Sequence, residues 1–190
     1  MDDVTPLILA SHSPRRQMLL KQSGYQFVVD PPPDHAEDGR REQESPEEMV
    51  VRLATQKAEA VSQKYENAHI LGCDTIAHFQ DQVLGKPVDR HDAQRMLETL
   101  RGQLHYVLTG ICLWHRPGDH LQQRCVRTTL RLDNVSDHQI QQYLDTNKWQ
   151  GKAGAFGYQD GWDWLHIEQG SESNVVGLPL ETLREFFTNL

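Results

Sequence analysis

The sequence predicts an α/β fold in which helices surround a mixed β-sheet. Short apolar runs typical of buried strands, among them "LILA" (7–10) and "HILGCD" (69–74), alternate with helical patterns along the 190 residues. Two glycine-rich loops follow late in the chain, at 151–161 and 170–179. Repeats and low-complexity linkers are absent from the sequence, so we expect a single domain over residues 1–190.

The first helix is predicted from its end signals. Ser13 suits the N-cap position, Pro14 the first helical position, and Gly24 the stop. A strand at 25–30 follows, and then a charged, proline-rich loop at 31–44.

The second helix begins with the capping box "SPEE" at Ser45. Its apolar stripe is Met49, Val50, Leu53, Ala54, Ala58 and Val61. The strand at 69–74 comes next, and the runs 75–79 and 82–84 flank "QDQ" and predict a hairpin.

The second half of the chain repeats these signals. A helix ending at Gly102 turns Ala93, Met96, Leu97 and Leu100 inward. The remaining predicted elements are strands at 105–114 and 125–132, a helix opened by a capping box at Ser136, a short strand at 164–167 and a terminal helix at 180–187.

Composition restricts the classes of function. The net charge of −8 argues against a protein that grips nucleic acid with its whole surface, although one small basic pocket remains open. No apolar run approaches the roughly 20 residues of a membrane helix, and the acidic start "MDDVTP" is unlike a signal peptide. The three cysteines show no metal-ligand spacing, which indicates reduced, mostly buried thiols in a cytoplasmic protein.

The stretch "SHSPRR" admits two interpretations. An ordinary helix start explains Ser13 and Pro14, but cations in the first turn oppose the helix dipole, so it does not explain Arg15 and Arg16. Free backbone N–H groups, the Ser11 and Ser13 hydroxyls and two guanidinium groups together suit a phosphate chain. The stretch alone does not decide between these interpretations.

Three further charged residues are ambiguous. Lys57 falls on the apolar stripe of its helix, where it either snorkels at the edge or reaches into a cleft as a phosphate partner. Asp74 directly follows "ILGC" and is predicted at a strand end, where it either forms a turn or serves as a metal ligand or a base for water. Lys86 in "GKP" reads, taken alone, as an ordinary loop residue.

Taken in order, the motifs resemble a known family. They are "ASHSPRR", "ATQKA", "GCDT", "GKP", "TG" at 109–110, "KAGAFGYQ" and "GSESNVVGLP". The chain resembles, from residue 7 to about 187, the Maf-type nucleoside triphosphate pyrophosphatases, also called septum formation inhibitor proteins. The resemblance implies an inosine-triphosphatase-like fold, with an elongated mixed sheet flanked by helices and two lobes around a central cleft.

The resemblance also implies roles for single residues. The residues matched to phosphate binding are Ser11, Ser13, Arg16, Lys57 and Lys86. Asp74 matches the catalytic aspartate, which activates water and helps hold the metal, Mg²⁺ or Mn²⁺. Arg15, Thr75 and Gln159 match the positions that set base specificity, and all three resemble the dTTP/UTP subgroup rather than the 7-methyl-GTP subgroup, which has tryptophan, glutamine and glutamate there.

One motif departs from the family. The loop after the second strand usually carries an Asp-Glu pair whose glutamate assists the metal, whereas this chain reads "PPPDHAEDG". Asp34 fits the first acid and His35 occupies the next position, so Glu37 supplies the metal carboxylate only if the loop shifts by two residues.

The activity implied by the resemblance is hydrolysis of a nucleoside triphosphate, dTTP or UTP or a modified pyrimidine nucleotide, to the monophosphate and pyrophosphate. The alternative is a nucleotide-binding regulator of septum formation that does not need catalysis and would tolerate loss of Asp74. We expect no nucleic-acid or membrane partner, and a homodimer remains open.

Overall fold

The structure is a computed structural model that describes residues 5–33, 36, 38–39, 41–118 and 120–190. Within these residues seven strands form one sheet in the order β2-β1-β3-β5-β6-β7, with β4 paired to β3. The strands are β1 (Leu7–Ala10), β2 (Phe27–Val29), β3 (Ala68–Phe79), β4 (Gln82–Leu84), β5 (Leu104–Arg116), β6 (His120–Leu132) and β7 (Leu165–Gln169). The helices are α1 (Pro14–Gln22), α2 (Pro46–Ser62), α3 (Arg90–Leu100), α4 (Asp137–Asp145), α5 (Glu172–Val176) and α6 (Leu180–Thr188).

The sheet is mixed, as predicted. Strand β1 runs parallel to both β2 and β3, with Leu7 opposite Phe27 on one side and His69 on the other. Strands β3 and β4 are antiparallel, as are β6 and β7. The predicted hairpin is therefore confirmed, and its turn carries Gln80 at a positive φ of 53°.

Strand β3 is longer than predicted, and Asp74 lies inside it rather than at its end. The strand continues because Thr75 and Ile76 are β-branched and β4 pairs with the extension, placing Ala77 opposite Leu84. Pairing with β1 nevertheless stops at Gly72. Asp74 therefore lies just beyond the last β1–β3 pair, within a continuous strand.

The helix end signals predicted from sequence are confirmed. Ser13 caps α1, and Ser45 and Ser136 each form a complete capping box with the residue three positions on. The inward residues predicted for α3 are all buried. The second glycine-rich loop differs from prediction, because it contains the short helix α5, whose five residues are too few to show a periodic pattern.

Contacts divide the chain into two compact units. The first covers the described residues up to Asp74 together with Thr109–Val126 and Gly177–Leu190. One of its cores packs the inner face of α2 on β1 and β3. It consists of Ile8, Ala10, Ala54, Ala58, Val61, Ala68, Ile70 and Cys112.

The second unit covers Thr75–Leu108 and Arg127–Val176. Its core joins α3 and α4 to the sheet and is rich in aromatic residues. Tyr143 is fully buried, and its ring lies 4.6 Å from Phe156 and 5.9 Å from Trp162, centroid to centroid. The predicted single domain of two lobes, its elongated shape and its central cleft stay predictions.

Helix α2 lies very close to the sheet within the first unit. A Cβ atom placed on Gly72 of β3 would lie 2.1 Å from the carbonyl oxygen of Ala54. One placed on Gly110 of β5 would lie 1.9 Å from the carbonyl oxygen of Val50. Both contacts involve backbone atoms that cannot swing away, so these two positions require glycine.

The cysteines are free, as predicted, and Cys73 and Cys112 are buried. None of the helices within the described residues is long and apolar enough to cross a bilayer.

A buried histidine in the second unit has consequences for stability. His105 is 3% exposed, and its Nδ1 has no hydrogen-bond partner among the described residues. Burial lowers the pKa of His105 from 6.5 to about 4, and a hydrogen bond with the Gln103 backbone opposes that shift only in part. The folded protein therefore holds this imidazole neutral where the unfolded chain protonates it.

We expect the free energy of unfolding to fall as the pH drops from about 6.5 towards about 4, because only the unfolded chain then takes up the proton of His105. The shift from 6.5 to about 4 corresponds to roughly 3 kcal/mol, since one pKa unit is about 1.4 kcal/mol. Urea unfolding across that range, compared between the wild type and His105→Gln, measures the contribution. The matched control is His138→Gln at an exposed position of α4. A stability difference between wild type and His105→Gln that does not change with pH would contradict the expectation.

Candidate functional site

The first unit holds Arg16 in a fixed orientation after β1. Its Nη1 donates to the Ser11 hydroxyl at 2.9 Å, and its Nε donates to the Gly177 carbonyl at 2.8 Å. Only 9% of Arg16 is exposed, and Ser11 is buried beside it. Gly177 belongs to the "GSESNVVGLP" motif, so that motif contributes a backbone acceptor that sequence reasoning did not assign.

The start of α1 is an ordinary helix start that also has a buried arginine beside its capping hydroxyl groups. The Ser13 hydroxyl accepts from the Arg16 backbone N–H at 3.5 Å, and the Ser11 hydroxyl accepts from the Ser13 N–H at 3.2 Å. Ser13 is thus a helix cap, as the ordinary interpretation requires. Arg15 is half-buried in the first helical turn. The buried Arg16 beside these hydroxyls is the feature that ordinary capping leaves unexplained.

Lys57 and Asp74 form an ion pair. The Lys57 Nζ donates to Asp74 Oδ1 at 2.6 Å and to the Cys73 carbonyl at 3.4 Å. Both side chains are largely shielded, with 11% of Lys57 and 15% of Asp74 exposed. The snorkelling interpretation of Lys57 is therefore wrong, because its ammonium group turns to β3 instead of to solvent.

The Cys73 thiol shows that the cations act on the same part of β3. Burial raises the pKa of the Cys73 thiol to about 11, while the positive charges of Arg16 and Lys57 oppose that rise and Asp74 adds to it. The first unit therefore contains Arg16, Lys57 and Asp74, three of the residues singled out from the sequence, and Lys57 and Asp74 are in direct contact.

In the second unit, the "GKP" segment contacts the first glycine-rich loop. The Gly154 N–H donates to the Gly85 carbonyl at 3.1 Å. Gly154 has a φ of 69°, and a Cβ atom there would lie 2.9 Å from the Ala77 Cβ, so glycine is required. Lys86, next to Gly85, is exposed.

The glycine-rich loop is held by a buried carboxylate that sequence reasoning missed. Asp160 accepts from Tyr143 Oη at 2.6 Å and pairs with the ammonium group of Lys152. Its backbone carbonyl accepts from Lys148 at 2.9 Å. The lysine of "KAGAFGYQ" is therefore a structural residue. The only sequence signal was the aspartate directly after that motif, at the residue following Gln159.

Gln159 itself contacts the second glycine-rich segment. Its Nε2 donates to Glu172 Oε1 at 3.4 Å, and both side chains are exposed. Thr75 is half-buried on β3 in the same unit.

Other residues of "GSESNVVGLP" hold the backbone in place. Asn174 is fully buried and donates to the Thr128 hydroxyl at 2.9 Å. The same hydroxyl accepts from the Ser171 N–H at 3.2 Å. A Cβ atom on Gly170 would lie 2.5 Å from the Thr128 Oγ1, so this loop lies tightly against β6.

The predicted metal ligands are only partly described. Asp34, His35 and Glu37 lie outside the described residues, and Glu37 as a second carboxylate stays a prediction. Among the residues that are described, no three His, Cys, Asp or Glu side chains come together as a metal site. Mg²⁺ is usually held by one or two carboxylates together with substrate phosphates and water, so the shielded carboxylate of Asp74 fits such an ion.

The chemistry available in the first unit is that of an anion site with a base. Arg16 is oriented by two fixed acceptors, and guanidinium groups suit phosphate oxygens. The ammonium group of Lys57 is a second cation in the same unit, and it is bonded to the carboxylate of Asp74. A carboxylate next to such an anion can accept a proton from water.

A solved structure shares the fold. The structure of a HAM1 protein from Coxiella burnetii matches with a TM-score of 0.52 and 14% sequence identity, over 98% of this chain and 100% of that chain. This likeness confirms the predicted fold class.

Curated relatives are more similar in sequence. A dTTP/UTP pyrophosphatase from Rhodopirellula baltica is 48% identical over 184 residues, which cover 96% of this chain and 81% of the relative. A dTTP/UTP pyrophosphatase from Symbiobacterium thermophilum is 44% identical, over 96% of this chain and 92% of the relative.

A family model described as "Maf-like protein" matches residues 6–190. The match includes every motif on which the resemblance was based. With relatives of this identity and coverage beside it, the match shows that the chain belongs to the Maf family.

Proposed function

We propose that this protein hydrolyses UTP and dTTP to the nucleoside monophosphate and pyrophosphate. The observation that carries the proposal is the shielded ion pair of Lys57 and Asp74, whose Nζ and Oδ1 lie 2.6 Å apart. The named activity of the relatives supports the same reaction.

The phosphate chain is the part of the substrate that the first unit recognises in this proposal. Arg16 binds phosphate oxygens through its guanidinium group, and Ser11 and Ser13 line the approach to the α1 N-terminus, where the helix dipole favours an anion. Lys57 adds a second cation, and exposed Lys86 of the second unit a third.

Asp74 acts as the base in this proposal. Lys57 fixes its Oδ1, and Oδ2 accepts a proton from a water molecule that attacks the α-phosphorus. The bond between the α-phosphorus and the bridging oxygen breaks, and pyrophosphate leaves with the bond electrons. The cations stabilise the charge that develops on the leaving group.

A divalent cation, Mg²⁺ or Mn²⁺, belongs to the proposal. Asp74 and Glu37 would hold it with substrate oxygens, and it would supply positive charge to the phosphates. Asp74 thus combines two tasks, and Lys57 keeps its carboxylate in one orientation for both.

Base recognition belongs to Arg15, Thr75 and Gln159 in this proposal. Uracil and thymine present two carbonyl acceptors around one N–H donor. Gln159 can donate to a carbonyl and accept from the N–H, and Arg15 can donate to the second carbonyl. Cytosine presents an amino donor where a carbonyl is needed, and a purine needs a wider pocket.

A regulator without catalysis is the second candidate. The activity named for the relatives does not favour it. A role in septum formation, a cytoplasmic location and a homodimer remain parts of the proposal that await their own measurements.

We expect Asp74→Asn to lower turnover of UTP about a hundredfold or more, the magnitude typical of losing a general base. The asparagine oxygen can still accept from Lys57, so the fold should persist. Pyrophosphate release and thermal unfolding are the measurements, with Asp81→Asn in the exposed β3–β4 turn as the matched control. Near-normal turnover in folded Asp74→Asn would remove Asp74 from the mechanism.

We expect dTTP and UTP to be hydrolysed best, CTP clearly less well, and GTP and 7-methyl-GTP least. A donor that is left facing the cytosine amino group costs about 1–3 kcal/mol once the bound base shields it from water, which corresponds to roughly tenfold to a hundredfold in kcat/KM. The measurement is pyrophosphate release across these nucleotides with Mg²⁺, Mn²⁺ and EDTA. Binding without turnover would favour the regulator, and a preference for 7-methyl-GTP would refute the pyrimidine assignment.

The same panel tests the three specificity positions. Arg15→Trp, Thr75→Gln and Gln159→Glu combined should shift the preference towards 7-methyl-GTP. An unchanged order of nucleotides in the folded triple variant would mean that base choice resides elsewhere.

The Gln159–Glu172 contact generates a sharper expectation. Because Glu172 accepts from the Gln159 Nε2, the amide is turned so that Oε1 is available for the uracil N–H. In Glu172→Gln the new amide can donate or accept, so Gln159 can flip and meet cytosine. We expect the ratio of kcat/KM for UTP to that for CTP to fall about threefold to tenfold. Glu168→Gln, which changes an exposed glutamate paired with Arg131, is the control. An unchanged ratio would show that Glu172 does not orient Gln159.

A further inference from the structure

Gln159 lies in a closed turn of the second unit. The turn is "GYQD" (157–160), and across it the Asp160 N–H donates to the Gly157 carbonyl at 3.1 Å. A hydrogen bond between the first and fourth residues closes a β-turn. Gln159 is therefore the third residue of the turn, and its side chain is exposed there.

The hydroxyl group of Tyr143 bonds to both ends of this turn. It accepts from the Gly157 N–H at 3.3 Å and donates to Asp160 Oδ2 at 2.6 Å. Tyr143 belongs to α4 and is fully buried, and its ring lies against Phe156 and Trp162. One hydroxyl group, held in place by core packing, therefore fixes the first and last residues of the turn.

Two lysines add to this attachment at Asp160. The ammonium group of Lys152 pairs with Asp160 Oδ1, and only 14% of Lys152 and 10% of Asp160 are exposed. Lys148 donates to the Asp160 carbonyl at 2.9 Å. A Cβ atom on Gly157 would lie 2.5 Å from Asp160 Oδ2, so the carboxylate closes the turn tightly. It could move away only by giving up its bonds to Tyr143 and Lys152.

These contacts constrain the backbone that carries Gln159, whereas a different contact orients its side chain. The Gln159 Nε2 donates to Glu172 Oε1, which sets the direction of the amide group. An amide group discriminates between two bases only if its donor and acceptor are held where the base atoms lie, and such precision depends on the residues that support it. Tyr143 supports the turn without lying in it.

We propose that Tyr143 is a positioning residue whose hydroxyl group clamps both ends of the turn 157–160 and thereby holds Gln159 in place to discriminate uracil from cytosine. This role rests on the proposed function, which assigns base recognition to Gln159 and assigns Tyr143 no contact with substrate.

The test compares the binding of two nucleotides that cannot be hydrolysed, the analogues of UTP and CTP with an imido group between the α- and β-phosphorus atoms. Calorimetric titration with Mg²⁺ gives both dissociation constants for the wild type, Tyr143→Phe, Gln159→Ala and the double variant. Thermal unfolding checks that each variant is folded. The matched control is Tyr106→Phe, which also removes one hydroxyl group in the second unit and keeps the ring on which Arg127 stacks.

We expect Tyr143→Phe to weaken binding of the UTP analogue about threefold to tenfold, the magnitude of one or two lost hydrogen bonds, and to leave binding of the CTP analogue nearly unchanged. The preference for uracil then falls by the same factor. In the Gln159→Ala background, Tyr143→Phe should not lower the preference further, because its effect passes through Gln159. The control should keep the preference of the wild type.

Hydrogen exchange of the nucleotide-free protein reads the clamp directly. In Tyr143→Phe the amides of Gly157 and Asp160 should exchange severalfold faster than in the wild type, because the bonds that close the turn open more often. Mass spectrometry of a peptide that contains the turn measures this rate. Unchanged exchange would show that the Tyr143 hydroxyl does not hold the turn.

Lys148→Gln is a second variant, chosen because Lys148 is exposed and its replacement leaves the core intact. It removes the bond to the Asp160 carbonyl and should lower the preference for uracil about twofold. If Tyr143→Phe does not fold, an unchanged preference in Lys148→Gln overturns the proposal instead.

The positioning role would be refuted by an unchanged preference in folded Tyr143→Phe, or by equal weakening of both analogues, which indicates a general loss of structure. A further loss of preference in the Gln159→Ala background, or a wild type that does not prefer the UTP analogue, would refute it as well. Failure of the proposed function is a separate outcome, namely a wild type that prefers the UTP analogue but releases no pyrophosphate from UTP or dTTP.

Discussion

The close approach of α2 to the sheet is the constraint on which the first unit depends. The carbonyl oxygens of Ala54 and Val50 occupy the space where side chains would stand at Gly72 and Gly110. With the helix pressed this closely onto β3, Lys57 reaches Asp74 at 2.6 Å although both belong to buried elements. The glycines of the "GCDT" and "TG" motifs are thus required by packing, and through packing they fix the charged pair. A larger residue at either position would lift the helix and the lysine with it.

The sequence predicted local structure well and long-range structure less well. The caps at Ser13, Ser45 and Ser136 are encoded within four residues, and all three are present. Strand β3 was predicted to end at Asp74 because Asp74 directly follows the apolar run "ILGC", but β4 pairs with the continuation and a lysine from α2 satisfies the charge. Helix α5 is too short to show periodicity and is held instead by contacts with distant Thr128.

The roles of the lysines in the family motifs also depend on long-range contacts, which the sequence does not reveal. Three lysines lie in family motifs, and the residues next to them in the sequence do not indicate which lysine pairs with a carboxylate and which is exposed. Lys57 pairs with Asp74, Lys152 pairs with the buried Asp160, and Lys86 is exposed. These roles depend on partners 8 to 17 residues away, which only the folded chain identifies. The resemblance to the family singled out Lys57 and Lys86 and not Lys152, but it gave no physical reason for the difference, and the phosphate-binding roles of Lys57 and Lys86 stay predictions.

The acceptors of the two buried cations bear on the proposed function, in which an acidic protein of net charge −8 binds a triphosphate. Arg16 donates to a hydroxyl and a backbone carbonyl, and these two bonds fix the direction of its guanidinium group. Lys57 is bonded to a carboxylate, which offsets its charge until an anion arrives. In that proposal a bound phosphate would share the ammonium group of Lys57 with Asp74, because the ammonium group can donate to both anions. One lysine of α2 would therefore hold the proposed base and the phosphate chain next to each other.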